Sequence, residues 1–324
     1  MRFSVRLNND LPAASYPQLA HAAEQAGFDQ FWVSDDLFLR GVWPILTACA
    51  LATQRIQIGT CIVNPATMHP AEIAMQAAAL DELSGGRFNL GIAAGAAEFL
   101  GWVGLEQRHP LATVAETIEI LHTLFAGHAP SPPWGDQARL RFATRRIPIY
   151  LGATSPKMVR LIGALADGGL PLLFPPEHYA DVSAQVHAAA IEAGRLPTQI
   201  DLAACVWVSV ASEQEIARDA LREKIAYYAP ALSDAILSRL GVERAEVAAI
   251  GAALQVSRDM ARARALVDDR LMRIGIAGDG TTVAARLDGL VALGARHLSF
   301  GPPLGPDPLR AIALLGREVL PRMA

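Results

Sequence analysis

The chain has 324 residues, of which 52% are hydrophobic and 19% charged, and its net charge is −4. This hydrophobic share is enough for a large core and excludes a disordered chain, while the acidic balance gives no basic surface for nucleic acid. The cysteines Cys49, Cys61 and Cys205 are too widely spaced for a disulfide scaffold and fit a reducing compartment. The N-terminus lacks a signal pattern and no apolar stretch is long enough to span a membrane, so we expect a cytoplasmic protein that does not interact with membranes.

Short β-type runs alternate with helical patterns from the first residues onward. Strands are predicted at 3–7, 28–33, 55–62, 87–92, 147–151, 169–174, 202–210 and 296–300. Helices are predicted at 15–26, 44–53, 70–83, 113–125, 156–165, 179–193, 281–293 and 308–320. Eight strands that alternate with helices favour an α/β fold, the closed (β/α)8 TIM barrel. The alternative is a doubly wound open sheet, but segment 8–12 after the first strand contains no glycine for a phosphate-binding turn.

Two segments interrupt the alternation. Residues 128–145 have no clear periodicity and contain three prolines, which is typical of a surface insertion or lid. Residues 213–267 are helical in pattern throughout and longer than one crossover requires, so we interpret them as a helical insertion. We therefore predict one domain over 1–324 that carries both segments.

The residues that follow each strand are the candidates for chemistry, because barrel enzymes place their sites at the carboxyl ends of strands. Gly152, Ala153, Thr154 and Ser155 precede a proline that suits the first position of a helix, an arrangement typical of a phosphate site. The alternative is an ordinary loop in which Ser155 only caps the helix. Lys157 and Arg160 in the first helical turn would be explained by a nearby anion.

Three carboxylates also follow strands. Asp35 and Asp36 are adjacent in sequence and point in different directions, so a pair that shares a proton is not expected. Their alternative roles are a helix cap and a solvated charge. Glu98 is a candidate acid or base on the loop after the fourth strand, or a surface charge. The histidines lack the spacing of a metal site, and no metal is predicted.

Several segments resemble the luciferase-like flavin and deazaflavin oxidoreductases. The resemblance is carried by CIVNP at 61–65, ALDELSGGR at 79–87, LGI at 90–92, WVSD at 32–35 and IPIYLGA at 147–153. Within that superfamily, the ending at 301–307 and the compact length are similar to the methylenetetrahydromethanopterin reductases, which use coenzyme F420. The resemblance covers essentially the whole chain and is weakest at 213–267.

The resemblance implies a TIM barrel that transfers a hydride between the deazaflavin C5 and a small organic substrate with a C=C, C=N or alcohol/carbonyl group. It implies a cis peptide bond between Cys61 and Ile62 behind the cofactor ring, and a homodimer. The cofactor contacts that we expect on this basis are Asp35, Cys61, Ile62, Asn64, Gly95, Gly152, Ala153, Thr154 and Ser155.

The departures from the reductase pattern concern the substrate side. Arg6 stands where the reductases have a glutamate, Ala96 where they have an acid, and Asp36 where many F420-dependent relatives have a histidine. Arg6 favours an anionic or carboxylated substrate if its side chain reaches the pocket; the alternative is a salt bridge to Asp35 or Asp36. Glu98 is the candidate to replace the missing acid. The substrate is therefore not necessarily methylenetetrahydromethanopterin, and the candidate catalytic residues are Arg6, Asp35, Asp36 and Glu98.

Three functions follow as hypotheses. The first is an F420-dependent reductase or dehydrogenase. The second is an FMN-dependent monooxygenase that uses O2 and reduced flavin supplied by a flavin reductase partner. The third is a barrel that binds cofactor without turning over a substrate. The cofactor separates the first two, because a deazaflavin does not readily form the peroxide that oxygenation needs.

Overall fold

The computed structural model describes residues 1–142, 144–255 and 258–323, and these residues contain nine β-strands. The strands are β1 Arg2–Leu7, β2 Gln30–Val33, β3 Gln57–Thr60, β4 Phe88–Ile92, β5 Ile149–Ala153, β6 Gly168–Pro171, β7 Asp201–Val210, β8 Gly275–Gly278 and β9 His297–Leu304. The α-helices are α1 Ser15–Gln25, α2 Val42–Ala52, α3 Pro70–Leu83, α4 Ala97–Trp102, α5 Pro110–Phe125, α6 Pro156–Leu165, α7 Tyr179–Glu192, α8 Gln214–Tyr228, α9 Asp234–Leu240, α10 Arg244–Gln255, α11 Met260–Ala265, α12 Asp269–Met272, α13 Gly280–Ala292, α14 Pro308–Leu314 and α15 Leu320–Met323.

Eight of the strands close into a parallel barrel. Strands β1 to β7 pair in chain order, β7 pairs with β9, and β9 pairs with β1. The predicted TIM barrel is confirmed, and the open sheet is excluded because the ring of pairings has no free edge. The remaining strand, β8, was not predicted; it pairs only with Trp207–Val210 at the end of β7.

The boundaries of several elements differ from the sequence prediction. The last strand runs to Leu304 instead of ending at 300, and α5 begins at Pro110 because proline suits the first helical position. Helix α4 replaces a predicted loop. The described residues of 128–145 form no helix or strand, and 213–267 contains α8 to α11. The single domain and the lid remain predictions.

Strand alternation separates two environments. On β1, Phe3 and Val5 join the main hydrophobic core between strands and helices, whereas Ser4 and Arg6 point into the barrel. A second hydrophobic core lies under the helical segment after β7 and includes Leu221, Ile250 and the indole of Trp207. Trp207 therefore links the barrel to this second core.

None of the helices in the described residues is both long and apolar enough to cross a membrane.

Candidate active site at the carboxyl ends of the strands

All eight barrel strands are parallel, so their carboxyl ends meet at one opening, here called the mouth. The mouth collects the segments after β1 to β5, which hold the residues that the sequence singled out. Side chains from distant parts of the sequence therefore share one cavity entrance, as in other barrel enzymes.

The chain bulges after β3 at Cys61 and Ile62. The peptide bond between them is cis, as the family resemblance implies. Pairing resumes at once, since the Val63 amide donates to the Gly91 carbonyl at 2.9 Å. The Ile62 side chain lies against β5, where a Cβ on Gly152 would be 3.1 Å from its methyl group. Because Gly152 has no side chain, the surface beside the bulge stays open.

Asn64 and Gly95 lie against each other on the same side of the mouth. A Cβ on Gly95 would lie 2.1 Å from the Asn64 Nδ2, and Gly95 has a φ of +70°, a region that favours glycine. The Asn64 Oδ1 accepts from the Ala66 amide at 2.9 Å. Its Nδ2 donates to no residue that the structure describes, so this amide group is available to a ligand.

The segment after β5 begins helix α6. The Ser155 Oγ accepts from the Met158 amide at 3.4 Å, and Pro156 is the first helical residue. Ser155 therefore caps the helix, as the alternative of an ordinary loop predicted. Thr154 is exposed and its hydroxyl bonds to no described residue, which leaves one free donor beside the helix N-terminus. Arg160 pairs with Glu192, so a carboxylate of the chain itself accounts for its charge, and the phosphate site stays a prediction.

The two adjacent aspartates take separate roles. The Asp35 Oδ1 accepts from the Val42 amide at the start of α2 at 3.3 Å, and the Asp36 Oδ2 accepts from the Ser34 hydroxyl at 2.9 Å. Burial raises the pKa of Asp35, and the charge of Asp36 raises it further while the Val42 amide opposes. The carboxylates share no hydrogen bond, as their adjacent positions predicted.

Glu98 lies in the first turn of α4 and is exposed. It forms no ion pair or side-chain hydrogen bond with the residues that the structure describes. Nothing fixes its carboxylate near the other candidates, so its catalytic role stays a prediction.

Arg6 is only 8% exposed, and its side chain lies inside the barrel against Ser299 and Val206. Its Nε donates to the Ser299 hydroxyl at 3.0 Å, and its Nη2 donates to the carbonyls of Val206 at 3.1 Å and Ser299 at 3.3 Å. No described carboxylate pairs with it, so the salt bridge to Asp35 or Asp36 is excluded. The guanidinium also lies beside the Cys61 thiol.

A series of buried side-chain hydrogen bonds leads from Arg6 into the barrel interior. The Ser4 hydroxyl bonds to that of Ser299 at 2.7 Å and to His297 Nε2 at 2.8 Å, and His297 Nδ1 lies 3.1 Å from the Asp201 Oδ1. Burial alone would raise the pKa of Asp201, but its bonds to His297 and its other partners hold that pKa well below its usual value. Arg6 is thus fixed by a rigid polar interior.

Sequence reasoning missed three residues of the mouth: Trp207, Lys224 and Tyr228. The Lys224 Nζ lies 5.4 Å from the Trp207 ring centroid, and the Tyr228 ring packs edge-on against the same indole at 5.2 Å. Burial lowers the pKa of Lys224, while the charges of Asp10 and Asp36 act in the opposite direction. Lys224 and Tyr228 lie on α8, whose sequence pattern is that of an ordinary amphipathic helix. Nothing in that pattern indicated a role at the mouth.

Burial also raises the pKa of the Cys61 thiol to about 12, although the charge of Arg6 opposes the shift. The thiol is therefore neutral near pH 7 and lines the mouth as an apolar group.

The residues at the bulge, Asn64, Gly95 and 152–155 are together called the cofactor cradle. It combines an open surface beside Ile62 and Gly152 with two unpaired donors. These are the side-chain amide of Asn64 and the hydroxyl of Thr154 at the start of a helix. A flat ring needs the first two features and a phosphate the third. The residues present thus fit a phosphorylated deazaflavin or flavin.

Comparisons with known proteins show the family of the chain. The family model of the luciferase-like monooxygenases matches residues 1–297. The chain is 32% identical to a 5,10-methylenetetrahydromethanopterin reductase of Methanolobus tindarius, over 99% of this chain and all of the relative.

Two solved structures have the same fold. The coenzyme F420-dependent tetrahydromethanopterin reductase from Methanopyrus kandleri superposes with a TM-score of 0.90 at 28% identity, covering 100% of this chain and 99% of that one. A type II Baeyer–Villiger monooxygenase of Pseudomonas putida in complex with FMN superposes with a TM-score of 0.72 at 19% identity, covering 99% of both chains. The chain is therefore an oxidoreductase, and it belongs to the luciferase-like monooxygenase family.

Proposed function

We propose that the protein is a coenzyme F420-dependent oxidoreductase that transfers a hydride between the deazaflavin C5 and a small organic substrate. The observation that supports this most is the cofactor cradle, in which Asn64 and Thr154 offer unpaired donors beside a floor of small residues. The similarity to the F420-dependent reductase of Methanopyrus kandleri extends over the whole chain, which favours F420 over FMN.

Each part of the cradle has a distinct task in this proposal. Thr154 and the first amides of α6 would hold the cofactor phosphate, and the bulge at Cys61 and Ile62 would hold the ring. Asn64 would donate a hydrogen bond to the ring. Asp35, held by the Val42 amide, would be a further contact of the ring.

The substrate side is polar and charged. When bound, the coenzyme supplies the hydride-transfer chemistry, and the protein orients the partners and sets their electrostatics. Asp36 is the exposed group best placed to exchange a proton with solvent, since its carboxylate is bonded only to the Ser34 hydroxyl among the described residues. Glu98 is the further candidate acid.

The alternative is an FMN-dependent monooxygenase, which the family model and the FMN-containing structural neighbour favour. It would require a reductase partner to supply reduced flavin.

The homodimer remains a prediction that light scattering of the purified protein can check.

The deciding experiment is a titration of the apoprotein with F420, with FMN and with the deazaflavin that lacks phosphate and tail. We expect F420 to bind at micromolar concentration or tighter, and FMN at least tenfold more weakly. Stronger binding of FMN would favour the monooxygenase, and binding of none of the three would contradict the cradle.

A further inference from the structure

A group of exposed aromatic rings lies at the rim of the mouth. Phe38 follows β2 and is 74% exposed, and Trp102 at the end of α4 is 56% exposed. The centroid of the Trp102 ring lies 6.3 Å from that of Phe38 and 4.7 Å from that of Phe99. Single exposed apolar side chains are ordinary, but grouped ones mark a site of contact with another molecule. The three rings are called the aromatic cluster.

The aromatic cluster adjoins the cofactor cradle. Phe38 belongs to the segment after β2 and Trp102 to the segment after β4, and β3 lies between these two strands in the barrel. The contact between the two rings therefore joins the segments on either side of the one that carries the bulge. The α4 segment is also fixed to the cradle, because the Gln107 Nε2 donates to the carbonyls of Ala94 and Gly95, each at 2.9 Å.

The backbone of Phe38 has an unusual conformation. Its φ is +63°, a region that bulky side chains rarely adopt. Backbone strain of this kind persists only where the surroundings maintain it, and it is concentrated at sites that bind ligands. The ring that this backbone presents contacts Trp102 and stays largely in solvent, where a bound molecule would cover it.

The charges beside the aromatic cluster favour a neutral ligand. Asp36 and Glu98 lie in the same two segments, and neither forms an ion pair with a residue that the structure describes. A two-fold contact with a second copy would bring these carboxylates together from both copies, and an acidic lipid surface would repel them. An uncharged aryl group meets no such repulsion and gains the favourable tilted contacts between aromatic rings.

We propose that the aromatic cluster binds an uncharged aryl group of the substrate. The rings of Phe38 and Trp102 contact the aryl group at the apolar edge of an otherwise polar mouth, and the reacting C=C, C=N or carbonyl bond lies toward the cradle. The inference rests on the proposed function, because it takes that bond to react with the coenzyme. It narrows the substrate class to aryl-substituted molecules.

The test is calorimetric titration with cinnamamide and crotonamide, two neutral unsaturated amides that carry a phenyl and a methyl group, respectively, on the double bond. Both are added to the apoprotein and to the protein saturated with F420. We expect cinnamamide to bind about tenfold more tightly than crotonamide, or better, in both forms. Phe38→Ala and Trp102→Ala should each reduce this preference about threefold or more, while F420 affinity stays within about twofold.

Two further variants serve as controls. Trp102→Phe keeps an aromatic ring and should keep most of the preference for cinnamamide. Leu196→Ala removes a side chain that is 63% exposed but precedes β7, at the opposite end of the barrel, and it should leave both affinities unchanged. All these side chains are exposed or at the rim, so each variant should keep the melting transition of the wild type. A preference that survives in both Phe38→Ala and Trp102→Ala would overturn the aryl site.

The remaining outcomes separate this inference from the proposed function. Equal binding of the two amides by protein that binds F420 would overturn the aryl site and leave the proposed function intact. Failure to bind F420, with the preference retained by the apoprotein, would overturn the proposed function alone. A preference that disappears when the deazaflavin without phosphate and tail is bound would assign the aromatic cluster to the cofactor ring. A wild-type dimer that Trp102→Ala converts to a monomer in light scattering would assign it to a second copy, and either result would overturn the substrate assignment.

Discussion

Thr154 and Ser155 are neighbours with different roles, and substitutions can distinguish the two roles. The Ser155 hydroxyl is engaged as the cap of α6, whereas that of Thr154 is exposed and unbonded among the described residues. A hydrogen bond to a charged group contributes about 1.5–3 kcal/mol. We therefore expect Thr154→Val, which keeps the side-chain shape, to weaken F420 binding about tenfold or more and to leave the unfolding midpoint unchanged.

The contrast comes from Ser155→Ala and from the shortened deazaflavin. Ser155→Ala should lower the free energy of unfolding by about 1 kcal/mol, because the cap is lost. Thr154→Val should bind the deazaflavin that lacks phosphate as well as the wild type does, as followed by fluorescence. An equal loss of affinity for both cofactors would show that Thr154 does not contact the phosphate.

At the scale of single residues, the sequence predicted where a residue lies on its strand better than which residues its side chain contacts. Strand alternation and the barrel rule placed Arg6 at the mouth, but its partners depend on Ser299 and Val206, which lie about two hundred or more residues away in the chain. Lys224 was missed because helix periodicity shows only that it lies beside a buried stripe. Its contact with Trp207 exists only after the insertion folds onto β7.

Helix α1 anchors the start of strand β3 through one carboxylate. The Glu24 side chain is buried, and its Oε2 accepts from the amides of Gln54 at 2.9 Å, Arg55 at 2.6 Å and Ile56 at 2.9 Å. Burial alone would raise the pKa of Glu24, but these three bonds and the charge of Arg55 lower it overall. The ionised form is thus favoured by folding.

Glu24→Gln should lower the free energy of unfolding by about 1–3 kcal/mol at pH 7, because it replaces the shared acceptor oxygen by an amide. A lowered pKa adds stability above the unfolded value of 4.5, and this stability is lost as the pH falls through the folded value. The difference between the two proteins should therefore shrink between pH 5 and pH 3.5 in urea unfolding curves.

Glu116→Gln is the control for this series, since Glu116 is exposed on α5 and pairs with no described residue. Its stability should match the wild type at every pH. A Glu24→Gln deficit that stayed constant down to pH 3.5 would contradict the assignment of the effect to ionisation.

At the scale of elements, long amphipathic helices and apolar strands were predictable, and short ones were not. Strand β8 has four residues, two of them glycines, and pairs only with the end of β7. Its sequence has too few branched side chains to stand out between helical segments. Helix α4 has six residues and begins at Ala97, where no capping side chain marks its start.

The described residues contain three hydrophobic cores, of which the two largest lie between the barrel and its helices and under the helical segment after β7, and a small one lies inside the barrel. The main core fills the space between the barrel and its helices and includes Ile118, whereas the second core under α8 to α12 includes Ile250. Both isoleucines are fully buried. Segments with separate cores can open separately, each with its own free energy.

We expect Ile250→Ala to lower stability by about 2–5 kcal/mol, as for other large-to-small core changes. Hydrogen exchange should speed up chiefly in α8 to α12. Ile118→Ala should speed exchange in the barrel instead. Faster exchange throughout the barrel strands of Ile250→Ala would show that the two cores unfold as one unit.

The reach of Arg6 over Gly301 has a consequence for related sequences. A Cβ at position 301 would lie 2.5 Å from the Arg6 Nη2. A side chain there would therefore push the guanidinium away from its bonds to Ser299 and Val206. Glycine at 301 thus allows the arginine to keep this position. Among related sequences we expect arginine at position 6 only together with that glycine, so the pair is a marker by which members with this kind of mouth can be sorted.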